Sequence, residues 1–143
     1  MSNVRIQWDN ESLGFIQIRY TDLAGKFLAR CMSKPADPEG FFRDGTGRDG
    51  SSVRGFVDID DSDLLLLPDT TTGREVPVCK NRMIATVIAD VYKGFSQGRL
   101  NSDPRYASRR MQNYLEDKNM LYQLGPEVEY FIIDEIKLGY ILN

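Results

Sequence analysis

The sequence contains no histidine. That absence removes every Ser-His-Asp, Cys-His or histidine-ligated metal site that this chain could build alone. Cysteine is nearly absent as well. Cys31 and Cys79 are the only two, and in a chain without a secretory signal they read as reduced thiols rather than a disulfide. The longest aliphatic run is Leu64–Leu67, against the roughly 20 apolar residues that a membrane-spanning helix needs. The first nine residues, Met-Ser-Asn-Val-Arg-Ile-Gln-Trp-Asp, hold no apolar signal core. Positive charge is also in short supply: 18 Lys and Arg stand against 21 Asp and Glu, which gives nucleic acid or an anionic membrane no electrostatic purchase. The expectation is a cytoplasmic protein with neither partner.

The 143 residues suffice for one domain with a real core, or for one small domain and the start of another. Residues 13–20 alternate Phe15, Gln17 and Arg19 against Ile16, Ile18 and Tyr20, the period of a half-buried strand. Turn residues follow, and Phe27 to Met32 returns as a second strand, which predicts an antiparallel hairpin. Pro35 and Pro38 break it, and residues 39–43 read as a short helical turn. Leu64–Leu67 predicts a buried strand closed by Pro68. Met83 to Tyr92, apolar on both faces, predicts a central strand. Residues 93–102 read as a linker or long loop. Asp103-Pro104 then opens a helix, Asp as N-cap and Pro in the first turn, with Ala107, Met111, Tyr114 and Leu115 on one docking face.

Two stretches invite chemistry. Residues 44–56 carry four glycines among Asp49, Ser51, Ser52, Arg48 and Arg54. The stretch lacks the spacing and the lysine of a phosphate loop. Composition alone favours a mobile polar surface loop, while an Asp and two Ser among glycines also suit a binding loop. The second stretch follows Gly125-Pro126, a strong backbone break. Residues 127–133 are rich in β-branched and aromatic types and predict a strand with Glu127, Glu129, Phe131 and Ile133 on one face. Strand rise would set the two carboxylates about 6.5–7 Å apart at Cα. Side by side they repel each other unless a cation sits over them, and hard oxygen ligands favour Mg²⁺ or Mn²⁺. A solvated sheet face is the competing reading, and two carboxylates alone do not fill an octahedral site. The acidic group Asp58, Asp60, Asp61 and Asp63 reads as a solvated turn.

Taken together, these strings form a pattern. Asp49-Gly50-Ser51-Ser52-Val53-Arg54-Gly55-Phe56, Asp61-Ser62-Asp63-Leu64, Leu67-Pro68-Asp69, Asp90-Val91-Tyr92, Asp103-Pro104-Arg105 and Gly125-Pro126-Glu127-Val128-Glu129-Tyr130-Phe131 occur in this order. In that order and spacing the chain closely resembles the N-terminal part of type I glutamine synthetases, from about residue 14 onward. The resemblance implies an α+β protein: a β-grasp domain over residues 1–98, then the first helix and strand of a catalytic domain over residues 99–143. It implies that Glu127 and Glu129 are ligands to two divalent metals, Mg²⁺ or Mn²⁺, one each. It implies that Asp49, with Ser52 beside it, reaches into a neighbouring subunit's active site in a homo-oligomeric ring, a dodecamer when complete, and there binds ammonium. The implied reaction joins ammonium to the side chain of L-glutamate through a γ-glutamyl phosphate made from ATP.

Residues 1–13 do not look like the family's usual N-terminal helix. The family's further carboxylates, its metal-binding histidine and its substrate arginines have no counterpart in these 143 residues, so the chain alone is expected to be inactive. Two other readings stay open at this point. One is a short, non-catalytic chain that binds a synthetase subunit or a regulator; the other is a related ligase that accepts a larger amine.

Overall fold

The computed structural model describes residues 6–94 and 98–135. Six strands and two helices follow in chain order: β1 (Leu13–Thr21), β2 (Phe27–Ser33), α1 (Pro38–Asp44), β3 (Thr46–Asp49), β4 (Asp63–Pro68), β5 (Arg74–Cys79), β6 (Arg82–Lys93) and α2 (Pro104–Asp117). Short helical turns at Ile59–Asp61 and Thr70–Thr72 link the strands on either side of β4.

The predicted hairpin forms, with β1 and β2 antiparallel and Ile18 opposite Arg30. Its turn is held by Asp22, whose buried carboxylate accepts from the amides of Ala24 and Lys26 at 3.0 and 2.8 Å. Alternation along β1 is as the sequence demands: Ile16, Ile18 and Tyr20 are buried and Phe15 is exposed. The predicted central strand is β6, and it is the axis of the sheet. Its first half pairs in parallel with β1 and antiparallel with β5, and its second half pairs antiparallel with β4. The path through the sheet runs β2-β1-β6-β4-β3. A mixed sheet with a parallel central pair and few helices is the β-grasp architecture expected from the resemblance.

The core lies on one side of this sheet. It gathers Ile16, Ile18 and Tyr20 of β1, Leu64 and Leu66 of β4, Ala85, Val87, Ala89 and Val91 of β6, and Phe41 of α1. Burying aliphatic side chains of this size stabilises by about 1.5–3 kcal/mol each before the entropy of ordering is subtracted. Phe41, Phe42 and Trp8 stack edge to face across α1, with centroids 5.3 and 5.8 Å apart.

Three expectations need correction, and one strand was not foreseen. β5 has no counterpart in the sequence reading. The 44–56 stretch is not all loop, because Thr46–Asp49 pairs with β4 as β3. The described part of the 93–102 linker is packed: Leu100 is buried, its amide donates to the Val91 carbonyl at 2.9 Å, and Arg99 bridges to Tyr92. Residues 127–133 form no strand at all. They run as irregular, exposed chain, because among the described residues no backbone pairs with them, and an unpaired strand leaves its amides and carbonyls unsatisfied by the ladder. Residues 1–5, 95–97 and 136–143 of the expected 1–98 and 99–143 spans lie outside the described residues.

Candidate functional site

Asp49 is the last residue of β3, and the loop that follows it is anchored rather than loose. The Gly50 amide donates to the Ser62 carbonyl at 2.7 Å, extending the β3–β4 pairing by one bond. Val53 and Phe56 plug into the core at 2% and 6% exposure, and their amides close successive turns onto Gly50 and Val53. Gly50 is buried, and a Cβ there would stand 2.4 Å from Leu64 Cδ1 and 2.5 Å from Val57 Cγ2. Any Cβ there must push the Leu64 and Val57 side chains aside. Gly55 adopts φ +80°, the left-handed region that glycine enters without strain. The buried positions thus alternate with exposed ones, and Asp49, Ser51, Ser52 and Arg54 project outward from a fixed base. A mobile loop, the reading favoured by composition, is replaced by a pinned one.

Short hydrogen bonds order the outward group. Asp49 Oδ1 accepts from the Ser51 hydroxyl at 2.7 Å and from the Ser51 amide at 3.0 Å. Ser52 Oγ donates to the Asp49 carbonyl at 2.8 Å and accepts from Arg48 Nη2 at 2.9 Å. The Ser51 hydroxyl is the main reason that the Asp49 carboxyl sits below its ordinary pKa, with the Ser51 amide and the nearby Arg48 charge helping against desolvation. No ion pair to Asp49 forms among the described residues; Arg48 engages Ser52 instead. Across the strand pair, Asp49 is the register partner of Asp63. Register partners share a face, so two carboxylates leave the strand ends on the same side. Further along, Asp61 pairs with Lys93, while Asp58 and Asp60 are exposed, as a solvated acidic turn requires.

Glu127 and Glu129 are both exposed in irregular chain. Their carboxylates supply the hard anionic oxygens that a small divalent ion prefers. Among the described residues, however, no three His, Cys, Asp or Glu side chains converge on one point. The two glutamates therefore fit a share of a metal site and not a whole one. The segment is set off from α2 by a helix C-cap that the sequence reading missed. Asn119 takes φ 53°, its amide donates to the Glu116 carbonyl at 2.9 Å, and the Met120 amide reaches back to the Leu115 carbonyl at 2.8 Å. That is the paired bonding of a left-handed helix stop, and the signal for it was Asn at the turn followed by an apolar residue. The docking face of α2 is largely uncovered, with Met111 and Tyr114 more than half exposed. No helix among the described residues is long and apolar enough to cross a membrane.

The chain and its fold have relatives among known proteins. Residues 12–94 match the family model described as glutamine synthetase, beta-Grasp domain. The chain is 33% identical over 138 residues to the glutamine synthetase of Mycolicibacterium smegmatis, covering 94% of this chain and 28% of that protein. It is 30% identical over 130 residues to the glutamine synthetase of Sulfolobus acidocaldarius, covering 90% of this chain and 27% of that one. The chain thus spans just over a quarter of the length of these relatives. Among solved structures, its fold matches Plasmodium falciparum glutamine synthetase with a TM-score of 0.68 at 15% identity, over 77% of this chain and 21% of that one.

Proposed function

The chain belongs to the glutamine synthetase family by its β-grasp domain, and from that premise we propose that it supplies two separate parts of an ATP-dependent glutamate–ammonia ligase. One part is the Asp49 loop. The other is the pair Glu127 and Glu129. The whole reaction takes L-glutamate, ammonium and ATP, and these 143 residues alone are expected to be inactive.

The observation that carries the reading is the state of Asp49. It is an ionised carboxylate, exposed, held by Ser51 and unpaired with any cation of its own domain among the described residues. A carboxylate so prepared attracts a small cation from outside. Ammonium is such a cation, and an anion beside it stabilises the charged form until a base removes the proton. Ser52, locked between the Asp49 carbonyl and Arg48, fixes the backbone on which Asp49 stands. The loop projects away from the core, which suits the family expectation that the ammonium it meets lies in another subunit's pocket, in a homo-oligomeric ring that is a dodecamer when complete.

Glu127 and Glu129 would give two of the ligands for Mg²⁺ or Mn²⁺. Bound there, the metal would neutralise crowded phosphate and carboxylate charge during phosphoryl transfer. The protein's own contribution is the i, i+2 spacing, which brings both carboxylates to one side once the segment is extended.

The experiment is steady-state ligase kinetics on this chain joined to the remainder of a family catalytic domain. Asp49→Asn is expected to raise the KM for ammonium by about tenfold or more, in line with the loss of one charge-assisted contact, while the KM for ATP stays near the parent value. Equal losses for both substrates would overturn the ammonium role. Selective loss with a larger amine, and none with ammonium, would redirect the reading to a relative that joins glutamate to bulkier amines.

A further inference from the structure

Three strings that are far apart in sequence, Leu67-Pro68-Asp69, Asp90-Val91-Tyr92 and Asp103-Pro104-Arg105, meet at one place between β6 and α2. Arg105 is the centre. Its Nε donates to Asp90 Oδ1 at 2.7 Å and its Nη2 to Asp69 Oδ2. Arg99 joins from the other side, donating to Asp90 Oδ2 at 2.9 Å and to Asp103 Oδ2 at 3.2 Å. Asp103 is 1% exposed and also accepts from the Val91 amide at 3.2 Å and the Arg105 amide at 3.0 Å. Arg109 closes the rim on Asp69 at 3.0 Å. The Arg99 guanidinium lies over both Tyr92 of β6 and Tyr106 of α2, 5.2 and 4.9 Å from the ring centroids.

Three aspartates face three arginines, so the cluster is balanced and calls for no outside ion. What it does is mechanical. No residue of α2 is buried, so apolar packing does not hold this helix on the sheet. The forks of Arg99 and Arg105 do, each gripping two carboxylates that belong to different elements. We propose that Asp69, Asp90, Arg99, Asp103 and Arg105 are positioning residues that fix the direction in which α2 leaves the sheet, and so where the Glu127–Glu129 segment begins relative to the Asp49 loop. The consequence for chemistry rests on the function proposed above. One chain would then serve two neighbouring catalytic pockets, and this cluster would set the fixed geometry between its two contributions.

The test is a distance distribution between two spin labels in the 143-residue chain, one on the exposed native Cys31 of β2 and one on Gln112→Cys of α2, in a Cys79→Ser background. The parent is expected to give one narrow distribution. Arg105→Gln keeps a good helix-forming side chain but loses the cationic fork, and should broaden the distribution by about twofold or more; Arg105→Lys keeps the charge without the fork and should fall between. A parent distribution that is already broad, or an Arg105→Gln distribution as narrow as the parent's, would overturn the proposal. So would loss of the sheet's own circular dichroism in both variants, because the cluster would then be part of the fold's core rather than a positioner of α2. The readout involves neither metal nor ammonium, so its failure leaves the assignment of Asp49, Glu127 and Glu129 standing.

Discussion

The sheet and the segment after α2 are made of much the same residues and behave in opposite ways. Ile16, Ile18 and Leu66 are wholly buried, whereas Leu124, Val128, Phe131 and Ile132 are 78% to 94% exposed. Both stretches have high strand propensity. The difference is partnership: β1 and β4 each have ladder neighbours and a core to face, and the later segment has neither among the described residues. Propensity expresses fitness for a pleated, half-covered surface, and without neighbours there is no such surface.

The comparison can be broken most severely in the core. Leu66→Ala should destabilise the sheet by about 2–5 kcal/mol, read from the urea midpoint, since the methyl groups removed leave a cavity. Gly50→Ala comes next. Its Cβ must displace Leu64 and Val57, a cost of about 1–3 kcal/mol typical of overpacking, with chemical-shift changes concentrated in residues 49–57. Acid sharpens the contrast at α2. Burial raises the pKa of Asp69, but the Thr71 hydroxyl and amide, with Arg105 and Arg109, outweigh it and leave the carboxyl below its ordinary 3.8. A depressed folded pKa contributes stability that is present above 3.8 and is lost as pH falls through the lower folded value. Amide exchange in α2 should therefore accelerate below pH 3.8 before exchange in β1 does. The smallest effect belongs to Phe131→Ser, expected within about 0.5 kcal/mol of the parent in this chain because the side chain covers nothing; a large loss there would mean that the segment is packed in solution.

Much of the fold could be read in advance because the relevant signals are local. The alternation of Ile16, Ile18 and Tyr20 needs only the two-residue period, the Leu64–Leu67 run needs only burial on both sides, and Asp103-Pro104 carries its own capping chemistry, with the Asp103 carboxylate on the Arg105 amide. β5 leaves no clear sequence signal because it is mostly exposed, so Arg74 to Cys79 shows no alternation, and Pro77 argues against a strand unless it lies at an edge. β3 was hidden by its glycine content. At the candidate site, the glycines of residues 44–56 were legible as special backbone. The anchoring by Val53 and Phe56 was not, since nothing in composition tells a plug from a bystander. The cluster around Arg105 was beyond reach, because ion pairs between residues 15 to 40 positions apart leave no period in the sequence.

Arg30 on β2 donates to the carbonyl of Gly47 on β3, and these two strands are the opposite ends of the sheet path. Curvature has brought the rims close enough for one side chain to span them. Exposed rims are where foreign backbones add and where aggregation starts. Here one rim places a cation against an acceptor of the other, which leaves less bare ladder to template a stranger and lets a short β3 survive at the margin of the fold.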